Sequence, residues 1–90
     1  MSQPQIAIYT TASCPYCHRA KALLNQRGLT FEEIPVDGDP AARAAMMARA
    51  NGRRTVPQIF FGERHIGGCD DLHDLDARGE LQTVLADAAQ

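Results

Sequence analysis

Residues 5–28 read QIAIYTTASCPYCHRAKALLNQRG, and the fold is decided here. Gln5 to Thr10 is a short run rich in β-branched and aromatic residues, ended by Thr10-Thr11-Ala12-Ser13. Its length and composition predict a buried strand. From Pro15 to Arg27, Cys17, Ala20, Leu23 and Leu24 recur at helical spacing. Pro15 suits a first helical position, Arg27 suits the negative end of the last turn, and Gly28 supplies the stop. A strand therefore feeds a helix, with Cys14-Pro15-Tyr16-Cys17 at the join.

Working outward, Thr30 to Val36 carries Phe31, Ile34 and Val36 among polar residues and reads as a second strand, which Pro35 confines to a sheet edge. Asp37-Gly38-Asp39-Pro40 is a turn in which Asp39 can cap a helix begun by Pro40. The Ala- and Met-rich stretch Ala41 to Ala50 is that helix, closed by Asn51-Gly52. Val56 to Phe61 predicts a third strand, Gly62-Glu63 a hairpin, and Arg64 to Ile66 a short fourth strand. After Gly67-Gly68, Asp70 to Ala77 and Glu80 to Ala89 read as one or two helices. Leu23, Leu24, Ile59, Phe60, Leu81 and Leu85 are the expected core. The order βαβαββα makes the class α/β, and its β-helix-β opening implies a parallel pair with a right-handed crossover.

Ninety residues suffice for one domain, so the chain reads as a single domain over 1–90. The composition, 44% hydrophobic and 22% charged, is that of a soluble chain with one modest core. Nine Lys and Arg against 11 Asp and Glu leave a formal net charge of -2, which supplies no field for nucleic acid or an anionic membrane. Met1 to Gln5 carries no basic region, and Ile6 to Tyr9 is far shorter than a signal or membrane segment. The reading is a cytoplasmic protein, monomeric by default. Three cysteines make no secreted-type disulfide framework, and in a reducing compartment a close pair points to redox chemistry or metal.

At the mouth of a helix, unpaired N–H groups and the positive end of the macrodipole favour a thiolate. Cys14 is therefore the expected nucleophile, with a pKa below the free value of about 8.5. Cys17 lies one turn further in on the same side, more buried, and suits the resolving role. Rival readings of the same residues are two inert buried cysteines, a zinc site from Cys14, Cys17, Cys69 and His73, and a c-type haem attachment at Cys14 to His18. The zinc half-sites are far apart, and haem attachment needs an export signal. His18, His65 and His73 share no metal spacing and read as surface or partly buried residues, and no metal site is expected.

Nearly the whole chain, from Ile6 to about Leu85, resembles the glutaredoxins, glutathione-dependent members of the thioredoxin fold. Three separated motifs carry the resemblance: Cys14-Pro15-Tyr16-Cys17, Thr55-Val56-Pro57 and Gly67-Gly68-Cys69-Asp70-Asp71. Cys17 to Leu24 and Ile66 to Leu72 look most like the bacterial glutaredoxin 3 type, a dithiol form. The resemblance implies a thioredoxin-like fold with a four-stranded mixed sheet flanked by helices. It also implies a cis Val56-Pro57 bond that turns the Val56 N–H and C=O toward Cys14, where the cysteine of glutathione can pair like an added strand.

The glutathione-binding residues so implied are Tyr16, Arg43, Arg54, Thr55, Val56, Pro57, Gly68, Cys69, Asp70 and Asp71. Gly67 and Gly68 are expected to take positive φ and let the backbone approach a ligand; the following helix start would hold the γ-glutamyl carboxylate, and Asp70, with Asp71, its ammonium. Tyr16 would pack against the bound sulfur, and Cys69 reads as structural. Three residues before Cys14, where glutaredoxins often carry lysine, stands Thr11, so the cation for the glycyl carboxylate is sought among Arg43, Arg53 and Arg54.

The expected activity is a glutathione-dependent thiol–disulfide oxidoreductase, with glutathione as co-substrate, no permanently bound cofactor, and disulfide-bonded or glutathionylated proteins as partners. The alternatives are an iron–sulfur or zinc-binding module using the same cysteines, and a redoxin fed by thioredoxin reductase.

Overall fold

The computed structural model describes residues 4–88. The start Met1 to Gln3 and the expected helix end at Ala89 lie outside them. In chain order the elements are β1 (Ile6–Thr10), α1 (Pro15–Gln26), β2 (Glu32–Pro35), α2 (Pro40–Arg49), β3 (Gln58–Phe61), β4 (Arg64–Gly67), α3 (Cys69–Ala77) and α4 (Leu81–Ala88). The C-terminal stretch is thus two helices, divided at Gly79, whose φ of 72° ends α3.

The strands form one four-stranded sheet in the order β2-β1-β3-β4. β1 pairs parallel with β2, matching Ala7 to Glu32 and Thr10 to Pro35, and antiparallel with β3, matching Ile8 to Ile59. β3 and β4 form the antiparallel hairpin. Gly62, at φ 60°, takes the first turn position, where L residues are strained. Pro35 sits on the edge strand, as its missing N–H requires. β2 begins at Glu32 rather than Thr30, because its pairing with β1 starts only at Ala7 to Glu32; Phe31, just before it, packs against the core. β3 begins at Gln58 rather than Val56, because Pro57 has no N–H to give and β1 pairs only from Tyr9 to Gln58 onward.

Every residue of β1 is buried, the expected state of a central strand covered on both faces. Side chains alternate across it. Ile6 and Ile8, with Ile59 and Phe61 of β3, pack against Leu23 and Leu24 of α1, Leu72 and Leu75 of α3, and Leu81 and Leu85 of α4. Ala7 and Tyr9, with Phe60, pack against Met46 of α2 and Val36 on the opposite face. The expected core is therefore a core on both sides of the sheet, with Phe60 alone of that set facing α2.

Helix ends place the site. At the close of α1, Leu29 N–H bonds the Leu24 carbonyl at 3.0 Å and Gly28 N–H the Asn25 carbonyl at 3.0 Å, a Schellman motif with Gly28 at φ 70°. Arg27 caps this end through its backbone; its guanidinium instead reaches α3, giving two 2.7 Å bonds to the Asp76 carboxylate. That pair ties together the two helices whose N-termini border the candidate site. Asp39 caps α2 by accepting from Ala42 N–H at 3.0 Å, with Pro40 following.

Candidate active site

Cys14 is the N-cap of α1, with extended backbone (φ -92°, ψ 109°), and its side chain turns over the first helical turn. The Cys17 N–H donates to the Cys14 Sγ at 3.1 Å, and the Cys14 thiol donates to the Val56 carbonyl at 3.7 Å. One of the helix's unpaired N–H groups is thus satisfied by sulfur. Cys14 is partly accessible, whereas Cys17 is buried. Burial first, then the hydrogen bond with Cys14, pushes the Cys17 thiol up to about 12, against smaller lowering effects of the Thr11 backbone and Lys21.

Beside the pair lies a cavity of about 350 Å³. Thr55, Val56 and Pro57 form one wall, with the Val56-Pro57 bond cis; Gly68, Cys69, Asp70 and Asp71 form the other, at the start of α3; Tyr16 and Arg53 complete it. Tyr16 is 53% exposed, with the Arg19 guanidinium 5.8 Å above its ring. Gly67 needs the absence of a side chain: its φ is 121°, and a Cβ would run into the Asp71 carboxylate. Gly68 departs from expectation, since its φ is -95°, a value any residue adopts, and a Cβ there would make only ordinary contact, 3.4 Å from the Pro57 carbonyl. The Asp71 carboxylate reaches back to the Gly68 N–H at 2.8 Å and meets Arg53 at 3.5 Å, while Asp70 stays exposed. Acids in the first turn suit the positive helix end.

A sequence model of the glutaredoxin family matches residues 6–66. The chain belongs to the glutaredoxin family. It is 59% identical over 80 residues to glutaredoxin 3 of Escherichia coli strain K12, covering 89% of this chain and 95% of that one. It is 55% identical over 83 residues to the glutaredoxin of Pseudomonas aeruginosa, covering 92% and 98%. Among solved structures, the Brucella melitensis glutaredoxin superposes with a TM-score of 0.82 at 49% identity, covering 94% of this chain and 91% of that one. The buckwheat glutaredoxin-glutathione complex superposes with a TM-score of 0.81 at 32% identity, covering 97% and 80%. This glutaredoxin accordingly has the thioredoxin-like fold and is a glutathione-dependent thiol–disulfide oxidoreductase that uses glutathione as a substrate.

Of the residues singled out in the sequence, Tyr16, Thr55, Val56, Pro57, Gly68, Cys69, Asp70 and Asp71 line this glutaredoxin's cavity. Among the three candidate arginines, Arg53 lines it and Arg43 and Arg54 do not. Arg43 donates to the Arg54 carbonyl at 2.9 Å, so its guanidinium holds the chain that carries Arg53. Cys69 is buried, and burial raises its thiol; its Sγ lies 3.4 Å from His73 Nδ1. Among the described residues, no three His, Cys, Asp or Glu side chains gather to hold a metal ion, and the Cys14, Cys17, Cys69 and His73 set is therefore not assembled. Among those residues, no helix is long and apolar enough to cross a membrane.

One residue escaped the sequence reading. Gln58 opens β3 and is fully buried, with its amide bonded to Thr55 and to His65. A polar residue at a strand end ordinarily reads as solvent-facing; only its position between Pro57 and the apolar Ile59 to Phe61 hinted otherwise.

Proposed function

We propose that this glutaredoxin reduces glutathione mixed disulfides through Cys14 alone and protein disulfides through Cys14 and Cys17 together. The proposal includes a monomeric single domain over 1–90, working in the cytoplasm with no permanently bound cofactor. The supporting observation is the position of the Cys14 sulfur, held between the Cys17 N–H and the Val56 carbonyl at the edge of the cavity. Three free cysteines suit a reducing compartment.

In the first route the Cys14 thiolate attacks the glutathione sulfur of a mixed disulfide. The protein thiolate leaves and takes a proton, and Cys14 carries glutathione. A second glutathione attacks that sulfur, restores Cys14 and departs as glutathione disulfide. In the second route Cys14 opens a protein disulfide and becomes joined to one of its sulfurs. Cys17 then attacks the Cys14 sulfur, its proton passes to the leaving protein thiolate, and a Cys14–Cys17 disulfide remains for two glutathiones to reduce. The raised Cys17 thiol keeps these steps in order. Burial is the first cause of that rise, with the hydrogen bond to Cys14 second, so Cys17 stays a thiol while Cys14 makes the first attack.

The bound tripeptide is read as an added strand on Val56, with Tyr16 against its sulfur and Thr55 and Pro57 shaping the wall. The N-terminus of α3, at Gly68 and Cys69, takes the γ-glutamyl carboxylate, and Asp70 its ammonium, with Asp71 holding Gly68 in place. Arg53, paired with Asp71 beside Gly68, adds its charge at this γ-glutamyl end, and Arg43 and Arg54 act through the segment that carries it.

Turnover of a low-molecular-weight glutathione mixed disulfide, coupled to glutathione and glutathione reductase, tests the reading. Activity in that system and none with thioredoxin reductase is expected; the reverse would overturn it.

A further inference from the structure

Burying an amide among apolar side chains is unfavourable unless both of its ends are bonded. Gln58 meets that condition, and the partners it uses are informative. Its Nε2 donates to the Thr55 carbonyl at 3.0 Å and to the Thr55 Oγ1 at 3.3 Å. Its Oε1 lies 2.7 Å from His65 Nε2. With the amide nitrogen turned to two oxygens of Thr55, Oε1 is left as an acceptor, so His65 must donate through Nε2–H. The His65 ring is fixed in turn by stacking on Phe60, centroids 4.9 Å apart at 27°. Phe60 is itself fully enclosed.

These contacts form a chain from the core to the cavity wall. Phe60 orients His65, His65 orients the amide, and the amide holds Thr55. Thr55 is exposed, and it begins the segment whose Val56 carbonyl receives the Cys14 thiol and whose Pro57 carbonyl faces Gly68. Gln58 is the nearest strand residue that can anchor this segment, because the ladder with β1 begins only at Gln58.

We infer that Gln58, oriented by His65, is a positioning residue for glutathione. It touches no reacting atom; it sets the distance of the Thr55-Val56-Pro57 edge from Cys14 and Gly68, and with it the fit of the tripeptide. The inference rests on the reading that this edge pairs with glutathione.

The test is steady-state kinetics with glutathione as the varied substrate, beside thermal melts of each variant. Gln58→Met removes both ends of the amide at similar volume. Gln58→Glu keeps the acceptor for His65 and turns an oxygen against the Thr55 carbonyl. His65→Phe keeps the stack on Phe60 and loses the N–H. The KM for glutathione is expected to rise about fivefold in both Gln58 variants, and less in His65→Phe, with kcat at saturating glutathione retained. A merely structural residue would lower the melting temperature without that split. Should Gln58→Met fail to fold, Gln58→Glu and His65→Phe decide. A cooperatively melting Gln58→Glu protein with the wild-type KM, or one losing kcat at unchanged KM, overturns the inference. Absence of glutathione turnover in the wild type would instead defeat the functional reading on which it rests.

Discussion

The Cys17 backbone N–H donates to the Cys14 sulfur at 3.1 Å while the Cys17 thiol itself is fully buried. The same residue thus supports the first sulfur through its backbone and supplies the second through its side chain. Cys17→Ser leaves the backbone donor in place, so turnover of glutathione mixed disulfides is expected to persist while reduction of a protein disulfide is lost. Cys14→Ser is expected to abolish both. Parallel assays on the two substrates check this, and mixed-disulfide activity surviving in Cys14→Ser contradicts the assignment.

Arg53 and Arg43 have different work in the structure. Arg53 lines the cavity, while Arg43 is engaged by the Arg54 carbonyl. The Arg53–Asp71 pair is 3.5 Å long, with side chains 47% and 50% exposed, so its loss should change stability by well under about 1 kcal/mol. Arg53→Met is expected to raise the KM for glutathione about fivefold or more through loss of a charge-assisted bond. Arg43→Met should raise it less. An unchanged KM in Arg53→Met would show that the guanidinium at the cavity does not meet the tripeptide.

Gly67→Ala strains the backbone at φ 121° and drives a methyl group into the Asp71 carboxylate that caps Gly68. The expected loss is about 1–3 kcal/mol in denaturant unfolding, with a raised KM for glutathione because the start of α3 moves. Gly38→Ala is the control: φ is 72°, but no atom lies within 4 Å of the new Cβ. It should cost about 1–2 kcal/mol and leave the KM unchanged.

Acidification should destabilise the fold in two steps. His65 is held below the ordinary imidazole range by burial first, with Arg53 and Arg49 adding and Asp71 opposing. Below that ordinary range the unfolded chain takes a proton that folded His65 resists, so stability falls as pH drops through about 6.5. Glu33 is held below the carboxylate range first by the Thr10 hydroxyl and then by Lys21, and Asp76 first by Arg27. Their contribution is complete above the ordinary carboxylate range and disappears as pH falls through their lowered values. Melting temperatures from about pH 8 to about pH 3 should therefore decline in both windows. A flat profile through the imidazole window would remove the His65 contribution.

Much of the architecture was legible because it is written in short-range chemistry. The short apolar, β-branched run of β1, the Asp39-Pro40 start of α2 and the Gly28 stop of α1 act within a turn or two of themselves, and each sits where the pattern put it. Pro35 announced an edge strand for the same reason. What sequence reading misplaced depended on distant partners. Arg27 looked like a complement to its own helix end, yet Asp76, in another helix, takes its side chain. Gly68 looked like a positive-φ glycine, but its φ is -95°, and its N–H is taken by the Asp71 carboxylate three residues on.

By itself the amino-acid order determined that a cysteine would stand at the mouth of the first helix, because Pro15 and the apolar spacing behind it allow only that start. It also determined the α/β alternation, through local periodicity. Only the packed molecule decided which arginine lines the cavity, that Arg27 reaches Asp76, and that Gln58 turns inward to hold Thr55. Those outcomes follow from chain segments far apart in sequence coming within hydrogen-bond or van der Waals reach, and no local propensity records such distances.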